Sequence, residues 1–244
     1  MKCRIAIACA LLALVATHAF AAGINLSWTD CGQSGSLHKT FACTSNTLSG
    51  AILIGSFVPP VGATLITGEE IVLDLVSASS TLPAWWQFKN LGTCRQTAFS
   101  IDADFTAGPP NCADYWMGQA AGGFTAFDPG LVPGQLNRAR VLAVVATAMG
   151  FWPADAGVEY GAFKITINGT KTVGVNACGG CLQPVCLVLN EIKLLQPSGL
   201  GNFRLQNPES RNYVTWQGGV VTGGCPAATP TRNATWGSVK ALYR

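Results

Sequence analysis

Alternating apolar and polar positions recur along the chain and predict β-strands, because successive side chains of a strand point to opposite faces. The clearest alternation, in residues 97–105, places Phe99 and Ile101 on one face and leaves Asp102 and Asp104 on the other. Similar patterns or short apolar runs predict nine strands in total, over residues 24–28, 51–58, 69–77, 97–105, 138–147, 158–168, 185–195, 202–205 and 212–216.

The connections between these segments are rich in Gly, Pro and Asn, as in "TAGPPN" (106–111), "FDPGLVPGQLN" (127–137) and "QGGVVTGG" (217–224). Such turns, without alternating helices, predict an all-β fold, an antiparallel β-sandwich supported by disulfides. No repeat of fixed period interrupts the pattern, so we expect one domain over residues 22–230. The final segment, residues 231–244, is expected to dock on that domain or to act as a tail that meets a partner.

The N-terminus has the layout of a secretory signal peptide. Lys2 and Arg4 precede an apolar stretch, and Ala19 and Ala21 give the small-x-small pattern of a cleavage site. We therefore expect residues 1–21 to be removed and the remaining chain to be secreted, either extracellular or on the cell surface, with the periplasm as an alternative.

Charge and hydropathy narrow the classes of partner. Removing Lys2 and Arg4 reduces the 15 basic residues to 13, against 12 acidic residues. The remaining basic residues form no stripe of the kind that neutralises nucleic-acid phosphates, so no nucleic-acid partner is expected. The longest later apolar run, residues 141–149, is too short to span a bilayer.

Eight cysteines follow the signal peptide, and an even number in an exported chain predicts disulfides. The run "CGGCLQPVC" (178–186) has no His after its second Cys, as haem attachment requires. Redox and zinc sites are weaker alternatives, because the run joins two predicted strands and lacks standard zinc spacing. Of the pairings that the spacing leaves open, we favour Cys31–Cys43, Cys94–Cys112, Cys178–Cys186 and Cys181–Cys225.

Catalytic groups are scarce. His38 is the single histidine after residue 21, and no G-x-S-x-G elbow is present. Asp102 and Asp104 share a strand face at a spacing compatible with a glycosidase pair. With Asp114, they are also weak candidates for calcium ligands. A solvated strand face explains the pair more simply, so we expect no cofactor and no enzyme, with a glycoside hydrolase as the alternative.

Tryptophans are the positive indication of function. Trp85 and Trp86 in "LPAWWQF" and Trp116 in "CADYWMGQ" lie in predicted loops beside Gln87 and Gln119. Exposed aromatic rings anchor interfaces and stack on sugars, while amides bind hydroxyls. These five residues are the predicted binding site, with packing of the rings in the core as the alternative.

Four stretches together resemble a group of exported bacterial proteins to which no activity is attached: "GINLSWTDCG", "LPAWWQFKNLGTCR", "CGGCLQPVCLVLNEIKL" and "CPAATPTRNATWGSVKALYR". The resemblance covers nearly the whole chain after residue 21. It implies a bacterial origin and carries over no catalytic residue. In texture, the predicted sandwich is similar to jelly rolls, cohesins and carbohydrate-binding modules, an analogy of fold that gives no function.

The sequence therefore predicts a secreted, non-catalytic β-sandwich used for extracellular binding or surface structure. A glycan or a surface protein is the expected partner. The alternatives are a glycoside hydrolase and a structural subunit of a surface assembly.

Overall fold

Two stacked β-sheets form the molecule in a computed structural model that describes residues 22–109, 111–130, 134–147, 153–220 and 225. Sheet A has the order β1 (Gly23–Trp28), β3 (Ile52–Val58), β9 (Tyr160–Ile167) and β5 (Phe99–Asp102), with β6 (Ala113–Asp114) parallel to β9. Sheet B has the order β2 (His38–Lys39), β12 (Tyr213–Trp216), β10 (Val185–Leu195), β4 (Gly68–Ser77), β8 (Arg138–Thr147) and β7 (Ala120–Pro129), with β11 (Phe203–Leu205) beside β10.

The predicted all-β sandwich is confirmed. All strand pairings are antiparallel except β2–β12 and β6–β9, and each of the nine predicted strands overlaps an observed one. Alternate positions of both sheets face one shared core, so Leu53 and Ile165 of sheet A and Leu73 and Leu189 of sheet B are fully buried. The segments predicted as the signal peptide (1–21) and the tail (231–244) lie outside the described residues.

Three strands were missed by the sequence interpretation, and β7 is the longest of them. Its first inward positions are Ala120 and Gly122, which give no apolar alternation. The segment predicted as a connection, residues 127–137, contains the end of β7 instead. This strand forms one edge of sheet B.

All eight predicted half-cystines are in disulfides, but the predicted pairing is wrong. The observed bridges are Cys31–Cys112, Cys43–Cys181, Cys94–Cys178 and Cys186–Cys225. Neighbours in sequence do not pair because the strands between them carry the chain elsewhere. For example, Cys31 and Cys43 flank β2, which joins sheet B, whereas β1 just before Cys31 belongs to sheet A.

The last four cysteines show the same effect. Cys186 points to the outer face of sheet B, in a small cluster with Val76 and Val188, and meets Cys225 there. Cys178 and Cys181 lie in the connection from β9 to β10, at one end of the sandwich. Their disulfide partners, Cys94 and Cys43, therefore lie in other loops at that end. Within the described residues, no helix is long and apolar enough to cross a membrane.

Candidate functional site

The tryptophans predicted as an exposed surface are buried, which corrects the predicted binding site. Trp85 and Trp86 belong to the 3-10 turn Ala84–Trp86 and are 0% exposed. Adjacent strand residues would face opposite ways, but in this turn both rings pack on Trp216, each with its ring centroid 5.1 Å from that of Trp216. Neither ring is therefore free to stack on a ligand.

Trp116 and the two glutamines do not form a surface with them. The Trp116 ring is buried, and its indole N–H donates to the carbonyl of Ala162 at 2.9 Å. Gln87 is half-buried and donates to the carbonyl of Leu82 at 2.9 Å, so its amide supports a turn. Gln119 is exposed. The five predicted contacts thus divide between the core, a turn and the surface.

Asp102 and Asp104 lie exposed on the outer side of sheet A and its following turn. Asp102 forms an ion pair with Lys164, with 3.5 Å between its carboxylate oxygen and Nζ. Hydrogen bonds from the Thr106 hydroxyl and then from its backbone N–H lower the pKa of Asp104. A glycosidase general acid needs a raised pKa, so Asp104 does not supply one.

The calcium candidates do not converge on a site. Asp114 uses one carboxylate oxygen to accept the backbone N–H groups of Trp116 and Met117, both at 2.9 Å. Among residues whose positions the structure describes, no three His, Cys, Asp or Glu side chains form a group that could hold a metal ion.

The strongest candidate surface is a set of loops that two disulfides join. Cys94–Cys178 and Cys43–Cys181 reach the same connection from two directions, because Cys178 and Cys181 are three residues apart. We call residues 43–51, 89–95 and 168–182 the cystine end. Loops held by a rigid scaffold are where binding residues concentrate.

Four exposed aliphatic side chains lie on the loops of the cystine end. Leu91 and Val175 are each 94% exposed, Leu182 is 68% exposed and Val173 is 36% exposed. All four lie within five residues of a half-cystine of the two bridges. Single exposed apolar residues are common on protein surfaces, but several on loops fixed together provide the apolar contacts that a protein partner buries.

Hydrogen bonds fix the loop of residues 168–182 in the cystine end, independently of the disulfides. The side-chain oxygen of Asn46 accepts the backbone N–H groups of Thr172 and Val173 at 2.8 and 3.0 Å. The Asn46 amide nitrogen donates to the Val173 carbonyl, and the indole N–H of Trp85 donates to the Thr172 hydroxyl at 3.1 Å. Val173 therefore projects from a backbone that is ordered before any partner arrives, which lowers the entropic cost of binding.

Arg95 anchors the base of the same loop. Its guanidinium carbon lies 3.5 Å from the centre of the Trp85 ring and its nitrogens donate to the carbonyls of Trp85, Asn168 and Thr170. Burial lowers the pKa of Arg95 to about 9. Three carbonyls and a ring face solvate this cation in place of water. Arg95 therefore holds the Trp85 turn against residues 168–170.

A shallow depression of about 250 Å³ lies beside this loop, between β3 and β9. Its polar lining comes from Asn46, Thr47, Thr166 and Asn168, with Leu48 and Ile52 as apolar contributions.

The sequence interpretation missed the cystine end, although the chain carried an indication of it. Leu91 in "KNLGTC" and Val175 in "VGVNAC" are aliphatic residues between turn-forming residues and a cysteine. An apolar residue in such a loop has no strand or helix to direct it into a core. What the sequence could not supply was the pairing of Cys94 with Cys178, which brings the two segments together.

The chain matches no protein-family model and no curated protein. Among solved structures, it is similar to the cohesin module from Clostridium perfringens ATCC13124 family 33 glycoside hydrolase, with 11% sequence identity and a TM-score of 0.36 over 80% of this chain and 98% of that chain. A likeness of this size carries no argument about function, and the pairing of the strands itself defines the sandwich.

Proposed function

We propose that this protein is an exported, non-catalytic β-sandwich that binds a partner protein outside the cell through the cystine end. The observation that carries the proposal is the group of four exposed aliphatic side chains on loops held by two disulfides. Aliphatic side chains on an ordered backbone bury apolar area against a protein at little entropic cost.

The four disulfides support export as the setting of this function. Disulfides persist in secreted and periplasmic compartments and are rare in the cytosol. A binding role also agrees with the geometry around Asp102 and Asp104, where the carboxylates meet solvent, Lys164 and Thr106. Recognition of sugars by stacked tryptophans loses its basis, because Trp85, Trp86 and Trp116 are buried.

The test compares labelled proteins binding to the surface of the producing bacterium. A double variant, Leu91→Asp with Val175→Asp, places charge on the most exposed part of the cystine end. Val61→Asp is the matched control, because Val61 is 87% exposed and follows β3 at the end opposite the cystine end. We expect the double variant to lose at least tenfold in affinity, about 1.4 kcal/mol, and the control to bind like the wild type.

Pretreatment of the cells identifies the class of partner. Protease treatment should abolish binding, while periodate oxidation of surface glycans should leave it intact. Binding that survives protease and is lost on periodate treatment would instead identify a glycan ligand. Equal binding by the wild type and the double variant would refute the cystine end as the site.

A further inference from the structure

Strand β7 forms an edge of sheet B whose outward side has no partner among the described residues. It pairs with β8 alone, from Ala120 opposite Thr147 to Pro129 opposite Ala139, with a bulge between Phe124 and Ala126. The segment before the bulge, Ala120–Phe124, is a regular strand of five residues. We call it the β7 edge.

The orientation of the β7 edge follows from its neighbour. Thr147 donates its backbone N–H to the Thr67 carbonyl at 3.1 Å, on the side of β8 that faces β4. Because backbone groups of successive strand residues point to alternate sides, those of Ala146 and Val144 face β7. Their partners Ala121 and Gly123 are therefore bonded to β8. The backbone N–H and C=O groups of Ala120, Gly122 and Phe124 consequently point outward.

The β7 edge itself, Ala120–Phe124, carries none of the side chains that usually block strand addition, and the bulge of β7 comes after it. Natural edge strands carry charged side chains or prolines that discourage pairing with another chain. Residues 120–127, "AAGGFTAF", contain neither, and Asp128 and Pro129 come after the bulge. Ala121 is exposed and Gly123 has open space on its outer side, so the outer face of the β7 edge is uncovered. On the inner face, the Lys89 ammonium lies 4.9 Å from the centre of the Phe124 ring.

We propose that the β7 edge pairs with the β7 edge of a second copy of this chain, in an antiparallel, two-fold symmetric dimer. With the symmetry axis at Gly122, Ala120 lies opposite Phe124 of the other copy, and each outward residue meets another outward residue. Such an arrangement forms about six backbone hydrogen bonds. On the outer face, Ala121 lies opposite Gly123 of the other copy.

The side chains favour this self-pairing over a charged partner. The segment is neutral, so the two-fold axis brings no like charges together within it. Glycine at the axis adds no side chain there. On the outer face, Ala121 and Gly123 form the non-hydrogen-bonded pairs, where the two backbones come closest and small residues leave room. An isologous contact needs this self-complementarity. The dimer would extend sheet B across both copies and leave each cystine end free.

The test measures molar mass by size-exclusion chromatography with light scattering over a wide series of protein concentrations. Ala121→Lys places a charge on the outer face of the β7 edge, and Ala120→Pro removes an outward N–H at a position where an edge strand accepts proline. Ala146→Lys is the matched control, because it adds the same charge on the same face one strand further from the edge.

We expect a dimer for the wild type and for Ala146→Lys, and a monomer for Ala121→Lys and Ala120→Pro. Amide hydrogen exchange gives a second readout within one strand. The amides of Gly122 and Phe124 should be protected in the wild type and lose that protection in Ala121→Lys, while the amide of Gly123 should stay protected in both. A wild type that remains monomeric throughout, dimers that persist in both edge variants, or an edge occupied by a foreign strand would overturn the proposal.

Discussion

Glu69 provides the sharpest test of how burial affects stability, because its carboxyl group is buried and has no hydrogen-bond partner in the described part of the chain. It lies on β4 between Leu194 of β10 and Val145 of β8, on the face that carries Ile71 into the core. Glu69 is 0% exposed, and neither carboxyl oxygen has a hydrogen-bond partner among the residues that the structure describes. Desolvation raises the pKa of Glu69 well above 4.5, so the folded protein favours the neutral acid.

The sign of the pH dependence follows from this shift. In the unfolded chain, the carboxyl loses its proton near pH 4.5, while the folded state keeps it to a higher pH. The folded state therefore binds more protons above pH 4.5, and the free energy of unfolding falls as the pH rises toward the folded pKa. One proton limits this loss to about 1.4 kcal/mol for each pH unit.

Three variants separate the contributions. Glu69→Gln keeps the shape and cannot ionise, so we expect it to match the wild type near pH 4 and to become progressively more stable as the pH rises. Glu69→Leu also removes the unpaired polar atoms and should gain a further 1–3 kcal/mol, roughly the cost of burying such a group. Glu70→Gln is the control on the opposite face, where Glu70 pairs with Lys193 at 2.9 Å.

The assay is guanidinium unfolding with the disulfides intact, repeated from pH 4 to pH 8 and followed by tryptophan fluorescence. The informative quantity is the difference in free energy of unfolding between each variant and the wild type. A difference between Glu69→Gln and the wild type that stays constant over this pH range would refute the reasoning. It would mean that the carboxyl has the same pKa in the folded and unfolded chains.

Three further predictions concern the cystine end and the outer face of sheet B. Arg95→Lys should lower the free energy of unfolding by about 2–4 kcal/mol, because an ammonium cannot bond three carbonyls and stack on a ring face at once. Guanidinium unfolding curves measure this difference. An unchanged free energy of unfolding would contradict the structural role of Arg95. Replacing Cys186 and Cys225 with Ala should cost about 4 kcal/mol, since the bridge closes 39 residues. Replacing Cys43 and Cys181 should in addition speed amide hydrogen exchange in the cystine end. Replacing Cys186 and Cys225 should not have this effect.

Local patterns predicted the strands well, and the reason is physical. A strand with one face on a core must alternate, so β5 and β9 are visible in the sequence, while buried β10 appears as a continuous apolar run with the observed bounds. β7 obeys the same geometry but fills its inward positions with Ala120 and Gly122. Small residues suffice there because Phe124 of the same strand stacks on Phe99 across the sandwich. Without an apolar contrast, the periodicity that identifies a strand disappears.

The candidate site depended on contacts between distant parts of the chain, which local patterns do not encode. The cystine end joins Asn46, Leu91 and Val175, and two of its bridges close separations of 138 and 84 residues. The burial of Trp85 and Trp86 also arises at a distance, from a Trp216 side chain on β12.

The burial of the tryptophan rings and the exposure of Leu91 and Val175 have a common physical origin. The chain uses its large rings to fill the space between the sheets at the end where disulfides join the loops, as the packing of buried Trp85 and Trp86 on Trp216 shows. Once rings and cystines occupy that interior, the loops that cover them must turn outward over short distances. Aliphatic residues such as Leu91 and Val175 then have no remaining core volume to enter. Trp85, which was predicted to lie on a binding surface, thus supports the loops that carry the exposed residues, through Thr172 and Arg95.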